Sequence, residues 1–128
     1  MSQILLIDDN PLQLRVREAV LHNAGFTVCV ATTAESALAM LREMREHISL
    51  VITDHVMPGR SGSQFVRDLR GENAEVPVIV LSGMPEAEPE YDDLNVVFRA
   101  KPVPPPELIE LVRAGLERGN PHDQAGAA

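Results

Sequence analysis

Five polar residues of this chain stand at or just after the ends of short apolar runs, where a buried strand would reach solvent. LLI is followed by Asp8 and Asp9, LVIT by Asp54, VIVL by Ser82, and VVFRA by Lys101. Ends of parallel strands share one edge of a sheet, which is where ligands bind in open α/β folds. We therefore expect these five side chains to converge on one site.

The chemistry of such a site follows from its residue types. Three carboxylates in close proximity repel one another, which raises at least one pKa unless a cation neutralises them. Oxygen ligands suit Mg²⁺, which keeps several waters and binds through one or two carboxylates plus phosphate. A lysine supplies a point charge for an anion, and a serine hydroxyl can donate to one of its oxygens. The set has what phosphoryl transfer needs, namely a nucleophile, a metal and charge stabilisation around the moving group.

Five strands and the helices between them must position these residues. Apolar runs predict strands over residues 3–7, 26–31, 50–53, 76–81 and 96–100, and helical spacing predicts helices over 11–24, 63–70 and 107–117 and one after residue 32. Alternation of strand and helix predicts a parallel sheet with helices on both faces. The flavodoxin-like order 2-1-3-4-5 is the natural arrangement for five strands, and it places strands one and three side by side.

Local signals refine the helices. Asn10 and Pro11 predict the start of the first helix, whose inward stripe we assign to Leu12, Val16, Ala19, Val20 and Asn23. Thr32 and Glu35 predict a capping box for the second helix. Residues 85–93 carry two prolines and little periodicity, so we expect only a short or distorted helix there.

Composition limits the classes of function. The chain has 128 residues, which fits one domain, and a formal charge of -8 with a single lysine, which argues against a nucleic-acid partner. One cysteine excludes an internal disulfide. We expect no membrane span and a cytoplasmic location, because Asp8 and Asp9 interrupt the first apolar run. The tail, residues 119–128, is small and polar and is expected to be disordered.

Taken together, these residues resemble the receiver domain of two-component response regulators. The resemblance lies in Asp8 and Asp9 after LLI, Asp54 followed by Met57, Pro58 and Gly62, Ser82 after VIVL, and Lys101 before Pro102. It covers residues 3 to 118, and residues 1–118 are predicted to form a single receiver domain.

The resemblance implies roles for individual residues. Asp54 would accept a phosphoryl group from a sensor histidine kinase or a histidine phosphotransfer protein. Asp9 and the backbone carbonyl of Val56 would bind Mg²⁺ directly together with Asp54, and Asp8 would bind it through water. Lys101 would pair with the phosphoryl group, while Ser82 and Phe98 would act as switch residues that alter a protein partner. The Lys101–Pro102 peptide is often cis in the family.

The sequence leaves an alternative function open. The same groups would serve a Mg²⁺-dependent phosphohydrolase with an aspartyl nucleophile, although such enzymes usually carry that nucleophile after the first strand in a DxD pattern. A receiver is expected to promote its own phosphorylation rather than turn over a substrate, as a monomer or a phosphorylation-dependent dimer. A flavin-binding function is disfavoured, because no Ser/Thr/Gly-rich loop follows the first strand. His55 is interpreted as a solvated residue at the rim of the site.

Overall fold

The computed structural model describes residues 3–118, which form a five-stranded parallel sheet flanked by helices. The strands are β1 (Gln3–Ile7), β2 (Val28–Ala31), β3 (Ile48–Asp54), β4 (Val78–Ser82) and β5 (Val97–Ala100). The α-helices are α1 (Pro11–Asn23), α2 (Ala34–Glu43), α3 (Gly62–Glu72) and α4 (Pro105–Arg118). The sheet order is β2-β1-β3-β4-β5, so the predicted flavodoxin-like order is confirmed. The predicted disordered tail lies outside the described residues.

Alternate residues of the strands supply two apolar layers, one on each face of the sheet. On one face Leu5, Val51 and Val80 pack with side chains of α2 and α3. On the other face Leu6 and Ile52 belong to a cluster with side chains of α1 and α4. Strands with apolar residues on both faces are typical of parallel sheets covered by helices, and here both faces are covered.

The inward stripe predicted for α1 is wrong except at Val20, which is half-buried and packs against the apolar layer. Leu12 and Val16 are 72% and 56% exposed, and Ala19 and Asn23 are also exposed, whereas the residues of α1 that are buried are Leu14 and Leu21. Aliphatic residues occur on several faces of this helix, so spacing alone does not select the inward one. Asn10 caps the helix as predicted, accepting hydrogen bonds from the backbone N–H groups of Leu12 and Gln13.

The capping box predicted at Thr32 and Glu35 is also wrong, by one position. Thr33 is the N-cap of α2, and its hydroxyl oxygen accepts a hydrogen bond from the backbone N–H of Ser36. Either threonine satisfies the sequence preference for a cap, and the extended backbone at Thr33 decides between them. The helix predicted over 63–70 is present as α3, and its buried apolar residues are Phe65, Val66 and Leu69.

Between β4 and β5 the chain forms a single 3-10 helix, Pro85–Tyr91, hereafter the 3-10 segment. Pro89 lies inside it, where the missing N–H and the fixed φ of proline disfavour an α-helix. The expected short helix is thus confirmed. Ala87 and Tyr91 are its buried residues, and they join the apolar layer that contains α3.

Candidate phosphoryl-transfer site

The register of the sheet brings the acidic residues together. Ile7 of β1 pairs with Thr53 of β3, so Asp8 and Asp54 are the next residues of two neighbouring strands. Asp8 is fully buried and Asp54 is 6% exposed, while Asp9 is exposed. One carboxylate oxygen from each of the three residues lies within 4.8 Å of the others. The predicted convergence of the three aspartates therefore occurs at the carboxyl ends of β1 and β3.

Two cations contact this acidic group. Lys101, which follows β5, places Nζ 2.5 Å from Asp54 Oδ1. Arg17, on α1, donates from Nη1 to Asp8 Oδ2 at 2.7 Å and lies 3.9 Å from Asp54 Oδ1. The sequence predicted the lysine but not the arginine. The spacing of the arginine could have identified it, because it lies three positions after Leu14 and four before Leu21, on the buried face of α1.

The buried position of Asp8 governs its ionisation. Burial raises the pKa of the Asp8 carboxyl above its ordinary value of 3.8. The charge of Asp54 acts in the same direction, whereas the backbone N–H of Asn10 and the charges of Arg17 and Lys101 lower this pKa. Asp8 Oδ1 accepts that Asn10 hydrogen bond at 2.9 Å. The Asp8 carboxylate is thus disfavoured by desolvation and held by one amide and the Arg17 guanidinium.

The acidic group fits a divalent ion with oxygen ligands. Asp54 Oδ1 is buried and makes no hydrogen bond, and the Lys101 ammonium lies 2.5 Å from it as an ion-pair partner. Opposite ligands of an octahedral Mg²⁺ ion lie about 4.2 Å apart, twice the usual Mg–O distance. A spacing of up to 4.8 Å suits one ion bound by some of these oxygens directly and by others through water. The donor set consists of oxygens alone, which Mg²⁺ prefers.

The remaining predicted site residues follow or belong to β3, β4 and β5. Ser82 is buried at the end of β4, and its hydroxyl donates to the backbone carbonyl of Met84 at 3.2 Å and accepts from the Met84 N–H at 2.9 Å. Val56 is 61% exposed in the loop after β3. Phe98 is buried and packs against Tyr91, with ring centroids 5.6 Å apart. The Lys101–Pro102 peptide is cis, as expected.

His55 is buried, so its interpretation as a solvated residue is wrong. Its side chain is 8% exposed, and Nδ1 shares a hydrogen bond of 2.6 Å with the hydroxyl of Tyr91. Nε2 lies 3.7 Å from Glu90 Oε2, and the other carboxylate oxygen, Oε1, accepts a hydrogen bond from the Ser63 hydroxyl. Sequence could not indicate this contact, because Tyr91 lies 36 positions further along the chain. His55 thereby links the loop after Asp54 to the 3-10 segment.

The environment of Tyr91 keeps its hydroxyl protonated. Burial raises the pKa of Tyr91 well above its ordinary value of 10.0, and the charges of Glu90 and Asp54 act in the same direction. With the Glu90 carboxylate facing Nε2, we assign the ring proton to Nε2, so that Nδ1 accepts the hydrogen bond from the Tyr91 hydroxyl. A neutral phenol is the donor that this arrangement requires.

Comparisons with known proteins agree with the fold and the acidic group. The family model for the response regulator receiver domain matches residues 4–113. The DNA-binding response regulator MtrA of Mycolicibacterium smegmatis is 32% identical over 126 residues, which cover 91% of this chain and 51% of that protein. The first curated relatives are matched over only 19% to 51% of their own length.

Solved structures give the same result. The response regulator receiver protein from Pseudomonas putida is 32% identical, with a TM-score of 0.81 over 88% of this chain and 96% of that one. A receiver domain protein from Clostridium thermocellum is 26% identical, with a TM-score of 0.85 over 92% and 96%. Among residues 3–118, no helix has the length and apolar character that crossing a membrane requires. By its family match, its sheet order and its acidic group, the chain belongs to the response regulator receiver domain family of two-component signalling.

Proposed function

We propose that the chain is a phosphoryl-accepting module of a two-component phosphorelay, in which Asp54 takes a phosphoryl group from a phosphohistidine. The observation that carries the proposal is the environment of Asp54 Oδ1, a buried oxygen 2.5 Å from the Lys101 ammonium and close to two further carboxylates. The donor is a sensor histidine kinase or a histidine phosphotransfer protein. The module undergoes a single modification rather than turning over a substrate.

In the transfer step, a carboxylate oxygen of Asp54 forms a bond to phosphorus as the phosphorus–nitrogen bond of the donor breaks. The electron pair of that bond leaves on the donor imidazole nitrogen, which then takes up a proton. Lys101 stabilises negative charge on the phosphoryl oxygens. The backbone N–H of Lys101 donates to the Ser82 carbonyl at 2.7 Å, so the edge of the sheet fixes the base of the lysine side chain.

Mg²⁺, when bound, would neutralise the charge that gathers on the phosphoryl oxygens and the carboxylates. Asp9, Asp54 and the backbone carbonyl of Val56 would hold it directly, and Asp8 through water. Their oxygen-only composition, and the buried Asp54 oxygen that makes no hydrogen bond, support this assignment.

Phosphorylation then biases a two-state equilibrium, because the new anion favours the state that supplies it with donors. The Ser82 hydroxyl, bonded to Met84 in this structure, would move to the phosphoryl group. Phe98, which packs against Tyr91, would shift with it and alter the surface presented to a protein partner.

The test is the intact mass after incubation with Mg²⁺ and acetyl phosphate. We expect one added phosphoryl group that is labile to alkali. It should not form when Mg²⁺ is chelated before incubation, and it should be absent from Asp54→Asn. Asp92→Asn, a change at an exposed aspartate of the described chain, is the matched control and should be phosphorylated normally. Turnover of a phosphoester without a retained adduct would refute the proposal and favour an aspartyl phosphohydrolase.

A further inference from the structure

Arg17 occupies a position on α1 where the helix faces the core. It follows Leu14 by three residues and precedes Leu21 by four, and both leucines are buried. Residues at these spacings share one face of a helix. Only 15% of the Arg17 side chain is exposed. A charge at such a position is costly unless it is paired, so its partners indicate what it does.

Both partners of Arg17 belong to the proposed phosphorylation site. Nη1 donates to Asp8 Oδ2 at 2.7 Å and lies 3.9 Å from Asp54 Oδ1. The other oxygen of Asp8 accepts the backbone N–H of Asn10. Each oxygen of the buried Asp8 carboxylate therefore already has a donor, and one of the two donors carries a full positive charge.

From this geometry we propose that Arg17 is a built-in counter-cation, which competes with Mg²⁺ for Asp8 and thereby sets the metal affinity of the site. The inference rests on the proposed function, because it concerns the same metal. Arg17 hydrogen-bonds to Asp8 and lies 3.9 Å from Asp54 Oδ1, beyond hydrogen-bond distance, so it acts as a positioning residue for Asp8. No role of this kind follows for Lys101, which contacts Asp54 rather than Asp8.

The charges explain why the arginine would act in this way. Asp8, Asp9 and Asp54 together carry three negative charges when ionised, and Arg17 and Lys101 supply two positive ones. The metal-free site thus keeps one net negative charge, which limits repulsion among the carboxylates. A divalent ion entering the site must overcome the repulsion of Arg17 and draw Asp8 away from it, so its affinity is lowered.

The decisive experiment measures Mg²⁺ binding by titration calorimetry without any phosphodonor. We expect Arg17→Met to bind Mg²⁺ about tenfold more tightly than the unchanged protein, which corresponds to about 1.4 kcal/mol. Arg15→Met, which removes an exposed arginine of the same helix, is the matched control and should leave the affinity unchanged. Arg17→Lys keeps the charge and should stay within about threefold of the unchanged protein. Equal or weaker binding by Arg17→Met, or no Mg²⁺ binding by either protein, would overturn the proposal.

A second measurement uses the unchanged protein and does not depend on how the variant folds. Pairing with Asp8 restrains rotation of the Arg17 guanidinium, which keeps the NMR signals of its two Nη atoms distinct. Addition of Mg²⁺ should release the guanidinium and merge these signals, with the same midpoint as the calorimetric titration. Signals that stay distinct at saturating Mg²⁺ would refute the competition.

The two proposals fail in different ways. Mg²⁺ affinities that follow the predicted order, together with no phosphoryl adduct on Asp54, would refute the proposed function and leave the role of Arg17 standing. An adduct on Asp54 with Mg²⁺ affinity that is insensitive to Arg17 would refute the role of Arg17 alone.

Discussion

Gly62 begins α3 at a point of close contact with the loop that follows Asp54. A Cβ atom at this position would lie 2.5 Å from the Tyr91 hydroxyl oxygen, 2.6 Å from the Asp54 carbonyl oxygen and 2.8 Å from His55 Cα. Two of these three atoms belong to the backbone, which cannot move aside as a flexible side chain can. To restore ordinary contact, the neighbours would have to move by about 0.6 to 0.9 Å.

Gly62→Ala should therefore destabilise the fold. Overpacking of this kind costs about 1–3 kcal/mol, and the upper end is expected here because two of the three crowding atoms are backbone atoms that resist displacement. Gly71→Ala is the matched control on the same helix, because an added Cβ there would have no atom within 4 Å. That change should stabilise the protein by about 0.5–1 kcal/mol, since glycine inside a helix costs conformational entropy.

The assay is urea unfolding monitored by circular dichroism. The free energies of unfolding are compared with one common value for their dependence on urea concentration. Phosphorylation of Asp54 by acetyl phosphate should also slow in Gly62→Ala, because two of the crowded atoms belong to Asp54 and His55. A Gly62→Ala protein within about 0.5 kcal/mol of the unchanged protein would refute the close packing described for this loop.

Three further predictions concern the groups around Asp54. Tyr91→Phe removes the donor to His55 Nδ1 and should lower the free energy of unfolding by about 1–3 kcal/mol in urea, the cost of an unsatisfied buried acceptor; an unchanged value would contradict the buried hydrogen bond. Because the fold raises the pKa of Tyr91, the stability it contributes is intact below the unfolded-state value of 10.0 and is lost as the pH rises above it. The absorbance of this single tyrosine should thus titrate at higher pH in the folded chain than in urea. Equal titration midpoints in the folded and unfolded chains would contradict the buried environment of the hydroxyl. Lys101→Met should slow phosphorylation by about 100- to 1,000-fold, measured from intact mass against time, and a rate within threefold would exclude its charge-stabilising role.

Sequence patterns predicted the sheet and the acidic group because both depend on local signals. Each strand is an apolar run, and Asp8, Asp9, Asp54 and Lys101 each lie at or just after the end of one, so the topology alone brings these four residues together. The position of Ser82 at the end of β4 followed in the same way. The 3-10 segment was foreseen because proline limits the local backbone.

Features that depend on distant contacts were not predicted. The buried face of α1 was misassigned because aliphatic residues occur on several of its faces. The pairing of Arg17 with Asp8 helps to determine which of these faces is buried. His55 was taken as solvated, since nothing next to it in sequence indicates that Tyr91 and Glu90 cover it. In both cases a polar side chain is buried by a partner on another element, which periodicity cannot reveal.

The position of the phosphoryl group shows whether Asp54 is the phosphoacceptor. Borohydride reduces an aspartyl phosphate to homoserine, and peptide mass spectrometry then identifies the modified residue. After incubation with a phosphohistidine donor and Mg²⁺, we predict homoserine at position 54 and aspartate at positions 8 and 9. Homoserine at position 8 or 9, or phosphate retained on a histidine such as His55, would contradict the assignment of Asp54 as the phosphoacceptor.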